Sequence, residues 1–417
     1  MSKRIAPYGS WKSPITSDLI VAETVGLGQI ALDGEDTYWS EMRPSEGGRN
    51  VLVRRTPDGQ VTDVTPTPFN VRTRVHEYGG GAFLVTGGTV YFSNFADQRI
   101  YRQTAGSEPE PITPDVPLRY ADGVLDTRRN RIICVREDHT EPGDAVNTIA
   151  SVDLETGKST VLVSGHDFYA SPRISPDGSR LAWLAWNHPN MPWDGTLLWV
   201  GDLRDDGTLA NTRRVAGGEE ESIFQPEWSP DGTLYLVSER TGWWNLYRLQ
   251  DGQIEPLVEM EAEFGLPQWV FGMSTYAFES AERIICNYSQ NGSSHLASLD
   301  TTTSELRVIE TPYSSIGGLR AASGRAVFHA GAPTEHGAIV QLEMDTGELS
   351  VLRRSSTLEI EDGYLSVPQA IEFPTENGLA AHAFFYPPQN RDYEAPPGEK
   401  PPLLVMSHGG PTATTSD

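Results

Sequence analysis

The feature that most constrains the fold of this chain is a strand and turn unit that recurs along most of its length. Its two clearest copies are residues 172–184 and 226–237, and each carries a Ser-Pro-Asp-Gly turn between two apolar strands. The two turns begin at Ser175 and Ser229, which are 54 residues apart. Four-stranded propeller blades recur at spacings of roughly 40 to 55 residues. The sequence therefore predicts a fold built from repeated β units.

Weaker copies of the same unit complete the series. Short runs of alternating β-branched and aromatic residues, separated by Asp-Gly, Gly-Gly and Pro-Asp-Gly turns, fill the chain from about residue 26 to about residue 349. The weaker copies begin near Gly28, Gly81, Gly123, Met273 and Leu319. Seven units predict a mainly β protein with a seven-bladed β-propeller, in which each blade buries its faces against its neighbours.

The length and charge of the chain limit what else it can be. A chain of 417 residues is too long for one ordinary core. Its 57 acidic and 32 basic residues give a formal charge of −25, which repels nucleic acid and anionic membrane surfaces. Residues 1–7 lack the apolar centre of a secretory signal, and no stretch approaches the roughly 20 apolar residues of a membrane helix. We expect a cytoplasmic protein with no nucleic-acid or membrane partner.

Disulfide, metal and phosphate chemistry are not indicated. Cys134 and Cys286 each lie inside an apolar run, where a cysteine usually acts as a small core hydrophobe. The nine histidines are scattered, without H-E-x-x-H or C-x-x-C patterns, and the glycine-rich stretches lack the Lys-Ser/Thr of a phosphate loop. We expect no metal and no cofactor.

The pattern changes near residue 360. Residues 367–375 and 379–388 predict a hairpin, and the continuously apolar Leu403-Leu-Val-Met406 suits a strand buried in a sheet. A His-Gly-Gly-Pro loop, residues 408–411, follows directly. In an α/β-hydrolase, the loop after such a strand offers a backbone N–H to the oxyanion, and glycine lets the main chain approach the substrate.

This change divides the chain into three predicted parts. We expect an N-terminal lead at residues 1–20, a seven-bladed propeller at residues 21–360, and the first strands of an α/β-hydrolase domain at residues 361–417. The lead is expected to pack on the hydrolase domain, because it has no place in the ring.

With a propeller first and a hydrolase start after it, the chain resembles the prolyl oligopeptidase family of serine peptidases, especially its acylaminoacyl-peptidase and dipeptidyl-aminopeptidase-like bacterial branch. The segments that carry the resemblance are residues 38–49, 74–81, 186–195, 224–232 and 407–411. The resemblance implies a propeller that gates substrate access to the hydrolase domain. It also implies cleavage of short peptides, from the N-terminus, through an acyl-enzyme on a serine activated by a His-Asp pair.

No G-x-S-x-G occurs in the 417 residues. We therefore expect the catalytic Ser, Asp and His to lie beyond Asp417, and the chain alone to be inactive. Asp417 itself does not fit the triad acid, because the chain order in this fold is Ser, then Asp, then His.

The resemblance also implies candidate site residues. Gly410 is the candidate oxyanion donor, with Gly409 shaping the turn, whereas His408 is expected to be structural. Glu220 and Glu221 stand where an acidic pair of the dipeptidyl-peptidase branch binds the free α-amino group of the substrate. A solvated acidic turn is the alternative interpretation.

Two further groups keep two interpretations each. The first group is Arg74, His76 and Glu77, which precede a triple glycine, and the second is Asp194. Each group either lines a cavity between the domains or forms buried ion pairs that tie blades to loops.

Two other functions also stay open. One is a noncatalytic propeller that serves as an interaction scaffold, and the other is a serine esterase that uses the same oxyanion loop. The expected partners are short peptide substrates and the remainder of the chain's own hydrolase domain. The sequence is also compatible with a homo-oligomer.

Overall fold

The computed structural model describes residues 3–21, 24–322, 324–410, 412 and 415. Seven antiparallel sheets of four strands follow one another along the chain, and within each sheet the strands lie in sequence order. The first strands of neighbouring sheets lie side by side around a ring, which closes where the seventh sheet meets the first. The predicted seven-bladed propeller is confirmed, and its first strands line a central channel.

Each blade is a continuous stretch of chain, and its first strand begins close to the position where a repeat unit was predicted. In blades one to four the strands are Gly26–Asp33, Asp36–Arg43, Arg49–Arg55 and Val61–Asp63; Phe83–Thr86, Thr89–Ser93, Ile100–Gln103 and Glu110–Pro111; Leu118–Asp126, Arg131–Asp138, Val146–Asp153 and Ser159–Val163; Phe168–Ile174, Arg180–Trp186, Leu197–Leu203 and Leu209–Gly217. In blades five to seven they are Ile223–Trp228, Leu234–Ser238, Asn245–Gln250 and Gln253–Pro256; Tyr276–Phe278, Arg283–Gln290, Ser293–Asp300 and Leu306–Ile309; Ser315–Ala322, Arg325–Ala332, Glu335–Glu343 and Leu349–Arg354.

The Ser-Pro-Asp-Gly motif forms the tight turn between the first and second strands of blades four and five. In blade four, the Asp177 carboxylate accepts hydrogen bonds from the Ser175 hydroxyl, at 2.6 Å, and the Ser179 amide, at 3.0 Å. These donors lower the pKa of Asp177 to about 2. Gly178 completes the turn at a φ of 70°, which glycine adopts without strain. The repeated motif therefore encodes a turn that is stabilised by hydrogen bonds of its own side chains.

Bulges interrupt the first strands of several blades where they face the channel. The pairing of the first and second strands shifts in blades three, four, five and seven. At these points Asp122, Ser171, Gln225 and Gly318 have φ values of 52°, 51°, 45° and 62°. A bulge bends its strand and redirects the side chains around it. The bulges bring polar and charged side chains to the wall of the channel.

Blades one and seven share no strand, so the ring closes through side chains and through a backbone hydrogen bond from the Val25 amide to the Ser355 carbonyl oxygen, at 2.8 Å. Arg353 of blade seven forms an ion pair with the buried Glu41 of blade one, with Nε and Oε1 2.8 Å apart. The His329 imidazole lies 2.9 Å from the carbonyl oxygen of Gly28. An apolar cluster that includes Trp39 of blade one and residues of blade seven fills the space between the two sheets.

The regular elements outside the ring are short. The α-helix Ser17–Val21 precedes blade one, and the strand Arg4–Ile5 pairs in parallel with Tyr393–Glu394. The predicted hairpin is present as Gln369–Pro374 paired with Ala380–Phe385. The part of the chain that the structure describes also forms four 3-10 turns: Pro44–Glu46, Thr127–Arg129, Asp362–Tyr364 and Glu376–Gly378. Within the described ranges, no helix is long and apolar enough to cross a membrane.

The predicted buried strand at residues 403–406 is wrong. Leu403, Leu404, Val405 and Met406 are 79%, 81%, 78% and 84% exposed and belong to no strand. A strand exists only where a neighbour satisfies its backbone groups, and no described strand lies beside these four residues. After blade seven, the described residues contain the hairpin and the strand Tyr393–Glu394 but no α/β-hydrolase sheet.

Candidate functional site on the top face

One face of the propeller carries the connections between blades. Because the strands of each blade alternate in direction, these connections emerge on the same face as the turns between second and third strands. The chain reaches blade one at Gly26 and leaves blade seven at Arg354 on this face. We call it the top face. The site described below is built from its loops.

Two of these loops meet over the mouth of the channel. Residues 74–81 precede blade two and residues 269–272 precede blade six, and these blades stand on opposite sides of the ring. The amide of Phe271 donates a hydrogen bond to the carbonyl oxygen of Gly79 at 2.9 Å, and Gly80 pairs with Phe271 as a parallel bridge. A Cβ on Gly80 would lie 2.3 Å from the Phe271 carbonyl oxygen, so the contact requires glycine. We call residues 74–81 and 269–272 the plug.

Blades three and four hold the plug from below. The His76 amide donates to the Glu137 carboxylate at 2.6 Å. The His76 ring packs against Phe168, Trp186 and Phe271, with ring centroids 5.2, 5.7 and 4.8 Å away. Burial lowers the pKa of His76 to about 4, so the imidazole is neutral at pH 7. His76 is therefore an anchor of the plug.

The other members of this sequence group lie on the surface. Glu77 forms an ion pair with Arg119 at 3.3 Å and a longer one with Arg74 at 3.9 Å. The Glu77 side chain is 71% exposed, so neither pair is buried. The Asp194 carboxylate accepts a hydrogen bond from the Met191 amide at 2.9 Å and shapes its own loop.

A polar cavity of about 330 Å³ lies beneath the plug, in the channel. Arg173 of blade four forms ion pairs with Asp122 of blade three, at 3.1 Å, and Glu227 of blade five, at 2.8 Å. Burial opposes the charge of Arg173, but the two carboxylates raise its pKa above the ordinary value. Arg320 of blade seven donates to the carbonyl oxygen of Gly272 at 2.9 Å, and burial lowers its pKa. The ion pairs of Arg173 thus join blades three, four and five, and the hydrogen bond from Arg320 attaches the plug to blade seven.

Three aromatic rings from separate loops cluster on the outer side of the plug. Trp193 and Trp269 have ring centroids 4.4 Å apart, and Tyr78 lies 5.8 Å from Trp269. Tyr78 is 64% exposed, and the two tryptophans are half-buried. We call Tyr78, Trp193 and Trp269 the aromatic platform. The triple glycine marks the loop that carries Tyr78, and the long connection of residues 257–275 carries Trp269, but no local sequence pattern brings these two rings together with Trp193.

Glu220 and Glu221 lie in the connection between blades four and five, on the top face. The Glu221 carboxylate forms an ion pair with Arg240 at 2.8 Å and accepts a hydrogen bond from the Ser238 hydroxyl at 2.6 Å. Glu220 is exposed and, among the described residues, its carboxylate has no ion-pair partner. Asn190, in the loop that carries Trp193, donates to the carbonyl oxygen of Glu219 at 2.8 Å. The acidic turn and the platform are therefore attached to each other.

The predicted oxyanion loop is exposed. Gly410 has a φ of 99°, and a Cβ on Gly409 would meet no atom within 4 Å. In the described part of the chain, neither glycine amide donates a hydrogen bond. The His408 imidazole lies 3.3 Å from the Gly409 carbonyl oxygen. Asp417 lies outside the described residues, and the described contacts do not join the loop to Glu220 or to the plug.

Comparison with solved structures finds close similarity to puromycin-hydrolysing enzymes. A puromycin-hydrolyzing peptidase of Mycobacterium tuberculosis is 36% identical, with a TM-score of 0.93 over 99% of this chain and 66% of that chain. A second puromycin hydrolase is also 36% identical, with a TM-score of 0.92 and the same coverage. The present chain thus spans slightly less than two thirds of the length of these enzymes.

More distant comparisons concern the fold or a part of the chain. Prolyl oligopeptidase B from Galerina marginata has a TM-score of 0.64 at 14% identity, over 87% of this chain and 55% of that chain, which shows a shared fold. An L-arabinolactonase of Azospirillum brasilense is 24% identical over 210 residues, which are 50% of this chain and 61% of that protein. No protein-family model matches the chain.

Proposed function

Because this chain belongs to the prolyl oligopeptidase family of serine peptidases, we propose that it forms the substrate-gating propeller of a serine peptidase that cleaves short peptides and aminoacyl amides from their N-terminus. The supporting observation is 36% identity, over 99% of the chain, to a puromycin-hydrolyzing peptidase and to a puromycin hydrolase. Cleavage runs through an acyl-enzyme, on a serine outside these 417 residues, since no G-x-S-x-G occurs within them. Residues 361–417 begin the catalytic domain that carries it.

The plug supports a particular route for the substrate. Its hydrogen bond between Phe271 and Gly79 spans the channel mouth on the top face. A peptide that threaded the channel would have to break this contact and displace the partly buried His76. We propose that substrates instead enter from the side, between the top face and the catalytic domain. Such a gap admits short peptides and excludes folded proteins.

The oxyanion loop is proposed to act through its backbone. When the serine attacks the scissile carbonyl, the negative charge develops on the carbonyl oxygen, and the Gly410 N–H donates a hydrogen bond to it. This N–H is not committed to another acceptor in the described chain. Gly409 gives the main chain room to turn toward the substrate.

Glu220 is proposed to receive the free α-amino group of the substrate. Its carboxylate is exposed and unpaired among the described residues, so it can bind a cationic amine without breaking an ion pair. Glu221, by contrast, is already neutralised by Arg240.

The experiment is a kinetic comparison in the complete protein that carries this chain, with aminoacyl p-nitroanilides and the corresponding methyl esters. Gly410→Ala should lower kcat by about 100-fold for the anilide, because the side chain disfavours a φ of 99° and displaces the N–H. Gly398→Ala is the matched control, since Gly398 also has a positive φ, 81°, in an exposed loop.

Three results would contradict the proposal. Absence of anilide hydrolysis favours the scaffold, and hydrolysis of the ester alone favours the esterase. Equal kcat values for wild type and Gly410→Ala would remove Gly410 from the oxyanion site.

A further inference from the structure

We propose that the aromatic platform binds an aromatic side chain of the substrate, so that the propeller itself selects peptides and amides with an aromatic N-terminal residue. This inference rests on the proposed function, because it takes the ligand to be a substrate with a free amine. It adds a specificity site on the propeller, formed by Tyr78, Trp193 and Trp269.

The platform is assembled before any ligand arrives. Tyr78 and Trp269 belong to the two halves of the plug, whose backbones are joined at Gly79 and Phe271. The loop of Trp193 is attached to the acidic turn by the hydrogen bond from Asn190. Each ring is thus carried by a loop that is fixed at a second point, and binding requires little ordering.

The geometry leaves aromatic surface available. Tyr78 stands edge-on to Trp269, at an interplanar angle of 84°, and the rings of Trp193 and Trp269 are inclined by 42°. The three rings are therefore not stacked into a closed column. Tyr78 keeps 64% of its surface exposed, and aromatic rings pair favourably at centroid distances of about 4.5–7 Å. An additional ring can pack against them in the same manner.

The charges around the platform favour a small cationic ligand over an apolar domain surface. Asp194 directly follows Trp193, and the turn that contains Glu219 and Glu220 is attached to the same loop; all three residues are exposed. The cores of protein interfaces are depleted of charged residues, because an unpaired buried carboxylate is costly. A ligand with an aromatic ring and a protonated amine places the ring on the platform and the amine beside the carboxylates.

Binding by the 417-residue chain tests the inference without requiring activity. We would titrate the chain with L-phenylalaninamide and L-alaninamide in a calorimeter. We expect the phenylalanine compound to bind at least 10-fold more tightly, and Trp269→Ala to remove this preference. Trp269→Phe should retain most of it, because a ring remains. Trp243→Ala is the control: Trp243 is also a top-face tryptophan, 39% exposed, but lies outside the platform.

Kinetics in the complete protein give the second readout. Trp269→Ala and Tyr78→Ala should lower kcat/KM for the phenylalanyl anilide about 10-fold and leave the alanyl anilide within 2-fold. Equal losses for both substrates would show that the platform supports domain packing, and equal binding of the two amides would show that it is not a ligand site. Either result overturns the inference, whereas selective binding by an inactive protein would contradict only the proposed function.

Discussion

At the scale of single residues, Glu220 and Glu221 show how the fold separates two neighbouring side chains of the same type. Glu221 lies beside Arg240 and Ser238 and is bound to both, whereas the carboxylate of Glu220 extends into solvent. The sequence predicts an acidic pair here. It does not reveal that Arg240, from the turn between the second and third strands of blade five, neutralises one member.

This difference leads to opposite expectations for the two substitutions. Glu220→Gln should raise KM about three- to fivefold for substrates with a free amine, because it removes an exposed ionic contact worth up to about 1 kcal/mol. N-acetylated substrates should be unaffected. Glu221→Gln should instead lower the melting temperature and leave KM unchanged. Steady-state kinetics with free and acetylated anilides measure both effects, and a KM rise confined to Glu221→Gln would reverse the assignment.

His76 gives the protein a specific dependence on pH. Its folded pKa is about 4, below the ordinary value of 6.5, because burial disfavours the imidazolium. Between these values the unfolded chain binds a proton that the folded chain does not. The contribution of His76 to stability is therefore complete above pH 6.5 and is lost as the pH falls toward 4, by up to about 1.4 kcal/mol per pH unit.

Denaturant unfolding of two matched variants tests this expectation. His76→Phe should flatten the fall in the free energy of unfolding between pH 6.5 and pH 4. His382→Phe, at an exposed position of the hairpin, should leave it unchanged. Parallel pH profiles for all three proteins would exclude His76 as the source of the pH dependence.

At the scale of elements, the sequence predicts the strands and turns but not the contacts between loops that are distant along the chain. The seven repeat units and their turns follow from alternation and from the Ser-Pro-Asp-Gly motif, because strands and turns depend on neighbouring residues. The plug depends on residues 79–81 and 269–272 meeting across the ring, and no local pattern encodes that meeting. The apolar run 403–406 shows the opposite failure, because its composition suits a strand but no neighbouring strand pairs with it.

The close contact between the two halves of the plug predicts that one methyl group added at Gly80 destabilises the protein. Gly80→Ala would place a Cβ 2.3 Å from the Phe271 carbonyl oxygen, so the two loops must separate. Gly88→Ala is the control, since Gly88 also has a positive φ, 73°, but a Cβ there meets nothing within 4 Å. Both variants carry the backbone strain, and the difference reports the clash. We expect Gly80→Ala to lower the free energy of unfolding by about 2 kcal/mol more than Gly88→Ala.

Hydrogen exchange localises this effect. Amides of residues 74–81 and 269–272 should exchange faster in Gly80→Ala and at wild-type rates in Gly88→Ala, while the blade strands stay protected. Unchanged exchange in both segments would mean that the plug is not held by this contact.

At the scale of the whole molecule, we expect the ring to open first where its two ends meet. Every other pair of neighbouring blades is joined by a continuous chain, whereas blades one and seven are held by side chains and by the backbone hydrogen bond between Val25 and Ser355. Arg353 and Glu41, which are 312 positions apart, form the ionic part of this contact. Glu41 is 1% exposed and is also bound by Arg43, so its charge is compensated from both blades.

Neighbouring arginines on the fourth strand of blade seven provide a matched test of closure. Arg353→Met removes the ion pair to the buried Glu41, whereas Arg354→Met removes an exposed pair to Glu335 with a separation of 3.5 Å. A hydrogen-bonded contact to a buried charge is worth about 1.5–3 kcal/mol, and an exposed pair at most about 1 kcal/mol. Arg353→Met should therefore destabilise the chain more, and hydrogen exchange should rise first in the strands Arg49–Arg55 and Glu335–Glu343. If exchange instead rises uniformly around the ring, closure between blades one and seven is not the weakest point of the propeller.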